Sequence, residues 1–178
     1  HGVGHKTAPH KVNYRANIWA LKSLGTEEIF ATTAVGSLNP DMEPGHFVVC
    51  DQVLDFTKSR INTFYDNPER GVAHVDFTNP YCPRLRDNVI NCLYKTDIIF
   101  HKKGCYVCTE GPRFETAAEI KMFAMLGGDL VGMTNMPESL LAREAEMCYT
   151  NCSIVTNMAA GISPTPLSHS EVVEAMDK

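Results

Sequence analysis

The stretch that decides the fold reads Thr109-Glu110-Gly111-Pro112-Arg113-Phe114-Glu115-Thr116-Ala117-Ala118-Glu119. It follows segment 101–108, which we interpret as a buried strand, and leads into segment 116–126, whose apolar residues recur at helical spacing. Gly-Pro between the two ends the strand, because proline has no N–H for a sheet ladder. This strand–loop–helix junction indicates an α/β fold and presents Phe114 and Glu115 where open α/β sheets bind ligands. An ordinary connection carrying a solvated glutamate would show the same spacing.

The same alternation of strand, loop and helix continues along the chain. Helices are predicted at 11–24, 84–94 and 137–147, and further strands at 27–33, 46–56 and 148–157. A last helix is expected to begin at Ser168. The irregular segment 58–83 contains several aromatic residues, so we expect an ordered loop that packs on the domain. The pattern predicts a single α/β domain over residues 1–178.

Composition limits the functions that the protein can have. Of its 178 residues 44% are hydrophobic, the net charge is −5 and the isoelectric point is about 5.8. This balance gives no electrostatic case for binding nucleic acid or an acidic membrane surface. No apolar run approaches the roughly 18 residues that a membrane span needs. An odd number of cysteines, seven, without framework spacing indicates reduced thiols and a cytoplasmic protein.

The amino terminus is unusual. The chain begins His1-Gly2-Val3-Gly4-His5, without an initiator methionine. Glycine-rich loops of this kind usually follow a strand, so we expect that an amino-terminal part of the domain is missing. A targeting signal can then be neither identified nor excluded.

Three other chemistries are weakly supported. Cys105 and Cys108 have the spacing of a redox or zinc pair, but side chains three apart in a strand point to opposite faces. His1, His5 and His10 lie in a glycine-rich loop without a carboxylate partner at fixed spacing. The Gly-x-Ser-x-Gly motif that would indicate a serine hydrolase does not occur in the sequence. We therefore expect neither a metal ion nor another cofactor.

The segment Thr32-Thr33-Ala34-Val35-Gly36-Ser37-Leu38 ends the first predicted strand with small, hydroxyl-bearing residues. Backbone N–H groups and threonine hydroxyls at such a strand end can face an anion. A tight turn without a ligand explains the same composition.

Taken together, five segments resemble the purine nucleoside phosphorylase and methylthioadenosine phosphorylase family. They are residues 1–9, 11–21, 32–38, 110–114 and 133–138, and they occur in the family's order. Segment 13–21 (Asn-Tyr-Arg-Ala-Asn-Ile-Trp-Ala-Leu) is closest to the methylthioadenosine branch. The resemblance implies a mixed twisted sheet flanked by helices and a homotrimer or homohexamer with shared active sites. It also implies phosphorolysis of purine nucleosides, with inorganic phosphate as a co-substrate and no cofactor.

The resemblance also implies roles for individual residues. The phosphate-binding residues would be His1, Thr33, Ala34 and Thr134. The catalytic pair at the base would be Glu115 and Asn157. Further substrate-binding residues would be Met133 against the ribose, Phe114, Met158, Ala159, His5, His74 from a neighbouring subunit, His169 and Val172. The family's arginine before the histidine and its amino-terminal phosphate loop do not occur in this sequence, so a truncated, inactive chain is one alternative.

Substrate choice follows from Glu115, Asn157 and His169. Methylthioadenosine phosphorylases carry serine in place of Glu115 and Asp-x-Asp in place of residues 157–159. At both positions this sequence instead resembles the 6-oxopurine enzymes. A carboxylate accepts from the N1–H of a 6-oxopurine, and an amide donates to O6, but an ionised glutamate cannot satisfy N1 of adenine. The imidazole of His169 suits a 5′-hydroxyl better than a thioether. The sequence thus predicts cleavage of inosine and guanosine, with 5′-methylthioadenosine or 5′-methylthioinosine as the alternative substrate.

Overall fold

The computed structural model describes residues 2, 4, 6–69 and 71–162. Its helices are α1 (Tyr14–Ser23), α2 (Pro83–Leu93), α3 (Ala117–Met125) and α4 (Glu138–Glu144), and a 3-10 turn (Pro9–Lys11) precedes α1. Its strands are β1 (Glu28–Ser37), β2 (Phe47–Val49), β3 (Gln52–Phe56), β4 (Phe100–His101), β5 (Cys105–Thr109), β6 (Leu130–Gly132) and β7 (Cys148–Met158). The last helix expected from the sequence lies outside the described residues.

The seven described strands form one mixed sheet in the order β3-β5-β6-β1-β7-β2-β4. Strands β1 and β7 run parallel in the middle, whereas β6 is antiparallel to β1 and β2 is antiparallel to β7. Only two residues join β2 to β3, and only residues 102–104 join β4 to β5, although these strands lie towards opposite ends of the order. The sheet must therefore curl until its two ends approach each other. The mixed α/β sheet that the family resemblance implies is confirmed.

The single strand expected at 46–56 is wrong, because the chain forms two strands that break at Cys50 and Asp51. At the break, Cys50 N donates to Asn151 O, whereas Asp51 bonds a different neighbour: its N–H donates to Gly104 O, and its Oδ1 accepts from Gly104 N. Arg86 Nε donates to the carbonyl oxygen of Cys50 at 2.7 Å and holds the turn. Each half of the apolar run thus joins a different part of the sheet.

The irregular loop between β3 and α2 is ordered by packing, as the sequence predicted. Phe64 and Phe77 pack against the main core cluster, and Tyr81 is buried with its hydroxyl donating to Asn135 Oδ1 at 2.8 Å. This loop therefore forms part of the domain. No helix in the described part of the chain is long and apolar enough to cross a membrane.

Helix α3 begins where the sequence placed it. The hydroxyl of Thr116 accepts from Glu119 N, and the Glu119 carboxylate accepts from Thr116 N, which satisfies two donors at the start of the helix. Arg113 forms a two-pronged ion pair with Glu119, so the preceding loop is tied to the first turn of the helix.

Candidate active site

A pocket of about 520 Å³ opens beside the central strands. It lies between the C-terminal halves of β1 and β7 and the segments that follow β5 and β6. The residues that line it are Pro9, Thr32, Thr33, Ala34, Val35, Gly36, Pro112, Phe114, Glu115, Val131, Gly132, Met133, Thr134, Thr156, Asn157 and Ala159. Elements far apart in sequence meet here because β1, the centre of the sheet, pairs with both β6 and β7.

The pocket brings together most of the residues predicted for substrate binding. Those that line it are Thr33, Ala34, Phe114, Glu115, Met133, Thr134, Asn157 and Ala159. Met158 is not among them, although its carbonyl oxygen accepts from Asn157 Nδ2. His74 is exposed on the long loop and does not line the pocket. The positions of His1, His5, His169 and Val172 lie outside the described residues. The roles assigned to all of these residues stay predictions.

Strand β5 holds the carboxylate of Glu115 in place. The hydroxyl of Thr109, the last residue of β5, donates to Glu115 Oε1 at 2.7 Å and lies 3.3 Å from the carbonyl oxygen of Gly132. Thr109 is buried, with 8% of its surface exposed, so its hydroxyl has few alternative partners. A hydrogen bond to a carboxylate is stronger than one between neutral groups. One oxygen of Glu115 is therefore held, and the other is left to accept from a ligand.

The carboxamide of Asn157 is also oriented locally. Its Oδ1 lies 2.9 Å from the Thr156 hydroxyl, and its Nδ2 donates to the Met158 carbonyl oxygen at 2.9 Å. The nitrogen carries two hydrogens, so one remains for a ligand. Gly36 pairs with Asn157 beyond an irregularity in the β1–β7 register, and a Cβ there would come within 3.3 Å of Nδ2. Glycine at this position leaves room for the amide.

The hydroxyl of Thr33 takes part in a buried polar network. It lies 2.9 Å from Ser153 Oγ and 3.2 Å from Asn151 Oδ1, and both of these partners are fully buried on β7. The neighbours of Thr33 in β1, Thr32 and Ala34, are exposed and face the opposite way. Thr32 lines the pocket but was not assigned a role from the sequence. The alternation along β1 was the signal that could have identified it.

Close packing joins the segments around the pocket. Gly111 adopts a φ of 63°, and a Cβ there would lie 2.6 Å from Met133 Sδ and 3.2 Å from Pro9 Cγ. A Cβ on Gly132 would lie 2.1 Å from the Tyr106 hydroxyl oxygen. Both glycines permit approaches that a side chain would prevent. The other lining residues that sequence reasoning missed are Pro9, Val35, Gly36, Pro112, Val131, Gly132 and Thr156.

The cysteines near the site are poorly suited to redox or zinc chemistry. Burial raises the pKa of Cys105 to about 11 and that of Cys108 to about 12, and both thiols are free. The thiolate is the nucleophile and the metal ligand, so both groups are in the unreactive form near neutral pH. The closest thiol contact is instead between Cys82 and Cys148, whose Sγ atoms are 2.6 Å apart. The two cysteines are 66 residues apart in sequence, so no rule based on short spacing could have identified the pair.

A curled mixed sheet whose pocket combines a carboxylate, a carboxamide and the hydroxyl-bearing end of a strand defines an α/β protein of the nucleoside phosphorylase fold. Comparison with known proteins supports this class directly. The family model of the phosphorylase superfamily matches residues 1–178, and the chain belongs to this superfamily.

Individual relatives point the same way. The chain is 60% identical over 183 residues to a 6-oxopurine nucleoside phosphorylase of Pyrococcus furiosus, an alignment that covers 100% of this chain and 69% of that protein. It is 54% identical over 178 residues to a probable S-methyl-5′-thioinosine phosphorylase of Methanothermobacter thermautotrophicus, covering 100% and 61% of the two chains. Among solved structures, methylthioadenosine phosphorylase from Schistosoma mansoni in complex with adenine matches with a TM-score of 0.94 and 37% identity. That match covers 99% of this chain and 68% of the other.

Proposed function

We propose that the protein is a 6-oxopurine nucleoside phosphorylase, which cleaves inosine and guanosine with phosphate to the free base and ribose 1-phosphate. The observation that carries the proposal is the Glu115 carboxylate, held by Thr109 in the same pocket as Asn157. A 6-oxopurine presents a donor at N1 and an acceptor at O6, and these two side chains supply the complementary groups.

The base site favours the transition state as well as the substrate. When the bond between C1′ and N9 breaks, its electron pair passes to the purine, so negative charge develops on the base. The Nδ2 hydrogen of Asn157 that is free of Met158 can donate to O6 or N7, where this charge accumulates. Glu115 accepts from N1–H and so fixes the orientation of the purine ring in the pocket. Adenine would place its N1 lone pair against the carboxylate, which disfavours adenosine.

The remainder of the pocket suits phosphate and ribose. A phosphate oxygen forms the new bond to C1′ as the bond to N9 breaks. Phosphate would be bound by the end of β1 at Thr33 and Ala34, by Thr134 after β6, and by His1. Met133 would lie against the ribose, where its flexible thioether can follow the puckered ring.

A second candidate is S-methyl-5′-thioinosine phosphorylase, which the relative from Methanothermobacter thermautotrophicus supports. 5′-Methylthioinosine carries its sulfur on the ribose and keeps the oxygen at C6, so Glu115 and Asn157 fit its base equally well. The two candidates differ at the 5′ position, where His169 and Val172 are predicted to lie. The histidine favours the hydroxyl of inosine and guanosine.

The experiment that tests the proposal measures phosphate-dependent release of base by the full-length protein that the gene encodes. Inosine, guanosine, adenosine, 5′-methylthioadenosine and 5′-methylthioinosine are compared in parallel, with a phosphate-free control. Cleavage of inosine and guanosine above the others supports the proposal. Preference for 5′-methylthioinosine selects the second candidate, and preference for either adenine nucleoside contradicts the account of the base site.

We also propose that the protein is cytoplasmic and works as a homotrimer or homohexamer. Large apolar side chains on the surface support an assembly: Leu24 is 82% exposed, Phe30 54% and Trp19 51%. His74 is exposed on the long loop and would reach a neighbouring subunit's pocket. Light scattering after gel filtration tests the assembly, and a monomer that cleaves nucleosides at the full rate would rule out shared sites.

A further inference from the structure

Arg60 is a buried arginine that the account of the pocket leaves without a role. It lies in the irregular loop between β3 and α2, and only 1% of its side chain is exposed. Its guanidinium donates from Nη2 to the carbonyl oxygens of Thr109 at 3.0 Å and Glu110 at 2.9 Å. From Nη1 it donates to the carbonyl oxygen of Met136 at 2.5 Å and to the Tyr14 hydroxyl at 3.2 Å. One side chain therefore joins three segments of the domain.

These segments are the ones that surround the pocket. Residues 109–115, here called the base loop, begin with Thr109, whose hydroxyl holds Glu115. Residues 133–136, here called the ribose loop, contain the pocket residues Met133 and Thr134. The Tyr14 hydroxyl also donates to the carbonyl oxygen of the pocket residue Pro9 at 3.0 Å, so the third contact reaches the pocket wall too.

The positive charge of Arg60 has its own counter-ion. Glu110 Oε2 lies 3.6 Å from Arg60 Nε and accepts from the backbone N–H of Lys58, and Glu110 Oε1 accepts from the Ser59 hydroxyl at 2.5 Å. Burial opposes ionisation of Glu110, but the bonds from Ser59 and Lys58 and the charge of Arg60 outweigh it and lower its pKa. A buried ion is tolerated when its partners satisfy it: the two Nη atoms of Arg60 have carbonyl and hydroxyl acceptors, and the Glu110 carboxylate balances the charge at 3.6 Å from Nε.

We propose that Arg60 is a positioning residue, which sets the separation between the base loop and the ribose loop so that purine and ribose are held in reacting geometry. The proposal rests on the phosphorylase function argued above. A planar guanidinium can bond the base loop on one edge and the ribose loop on the other, whereas a lysine ammonium is a single point and cannot bridge them in the same way. Small misplacements of reacting groups cost large factors in rate.

A matched control exists in the same chain. Arg86 also clamps backbone carbonyls: Nε donates to Cys50 at 2.7 Å, and Nη2 donates to Lys102 at 2.6 Å and to Val49 at 3.4 Å. None of these three partners is among the described residues that line the pocket. Its loss should cost stability in a similar manner without moving either loop of the site.

The experiment compares Arg60→Lys and Arg60→Met with Arg86→Lys and Arg86→Met in the full-length protein. For each variant, kcat and KM for inosine and phosphate are measured well below its melting temperature. Arg60→Lys is expected to lower kcat/KM for inosine at least tenfold, with most of the loss in kcat, while Arg86→Lys changes it less than threefold for a comparable fall in Tm. Equal losses in the two lysine variants, in proportion to their Tm, would overturn the proposal.

Amide hydrogen exchange gives a readout that needs no substrate. Arg60→Lys is expected to accelerate exchange in both the base loop and the ribose loop, and Arg86→Lys in neither. Unchanged exchange in the two loops would also overturn the proposal. If the wild-type protein cleaves no nucleoside but the exchange result holds, the function is wrong and the positioning role of Arg60 stands. Glu110→Gln, which removes the counter-ion and one of the two oxygens that accept from Lys58 and Ser59, takes the place of the arginine variants if they do not fold, with the same direction of effect expected.

Discussion

Replacing Glu115 with serine tests the base site most directly. In the proposed complex the carboxylate accepts from N1–H of the purine, and serine is too short to reach the same atom. A hydrogen bond to a charged group contributes roughly 1.5–3 kcal/mol. Each 1.36 kcal/mol corresponds to about a factor of ten in rate. We therefore expect kcat/KM for inosine and guanosine to fall about 10- to 150-fold in Glu115→Ser.

The change for adenosine should be in the opposite direction. In the proposed complex the carboxylate would face the N1 lone pair of adenine, and its removal would relieve that repulsion. The ratio of kcat/KM for inosine to that for adenosine should therefore fall by more than the loss for inosine alone. The assay follows base release by absorbance at saturating phosphate, with both nucleosides measured on the same preparation.

Glu119→Gln is the control for this substitution. It removes the same charge four residues further on, from the start of α3, and Glu119 does not line the pocket among the described residues. Its kcat/KM for inosine should stay within about twofold of wild type. Loss of one hydrogen bond to a charged group would lower it roughly tenfold or more. Inosine cleavage by Glu115→Ser at the wild-type efficiency would refute the reasoning. Equal losses of kcat/KM for inosine and adenosine would show that Glu115 supports the conformation of the loop and does not discriminate between the two bases.

Three further predictions follow from single contacts. Thr109→Val removes the hydroxyl that holds Glu115, and kinetic assays should show a fall in kcat/KM for inosine of about tenfold, one charged hydrogen bond. Gly132→Ala places a methyl group against a buried tyrosine hydroxyl, and urea unfolding should show a loss of roughly 1–3 kcal/mol. Arg113 lowers the pKa of Glu119 from 4.5 to about 2, so the stability that this carboxylate contributes is present above pH 4.5 and is lost as the pH falls towards 2. Over that range the free energy of unfolding should fall more steeply in wild type than in Glu119→Gln, and parallel curves would contradict this.

Much of the fold could be predicted because its signals are local. Apolar residues at helical spacing predicted a helix over 116–126, and α3 is observed at Ala117–Met125. The hydroxyl-bearing end of β1 and the segment after β5 were both identified as ligand-facing, and both line the pocket. Alternation along a strand is equally local, and a stricter use of it would have placed Thr32 on the same face as Ala34, which was assigned to the site.

The misinterpreted segment 46–56 shows where local signals fail. Its apolar residues fit one long strand, and nothing nearby in sequence marks a break at Cys50. The break depends on Arg86 and Asn151, which come from α2 and β7. Strand pairing is a competition among distant partners, so a continuous apolar run can be divided between two of them.

The sequence by itself determined the class of fold and the order of most elements, because each depends on residue type and short-range spacing. The groups proposed for the base site came from its resemblance to the phosphorylase family. Only the tertiary structure decided which groups meet: Thr109 with Glu115, and Cys82 with Cys148. It alone placed Arg60 between the base loop and the ribose loop. In sequence Arg60 is one charged residue in an irregular loop. Its burial becomes favourable only when carbonyl groups 49, 50 and 76 residues away converge on its guanidinium. They converge because β5 pairs in parallel with both β3 and β6, so the carboxyl ends of these three strands lie side by side.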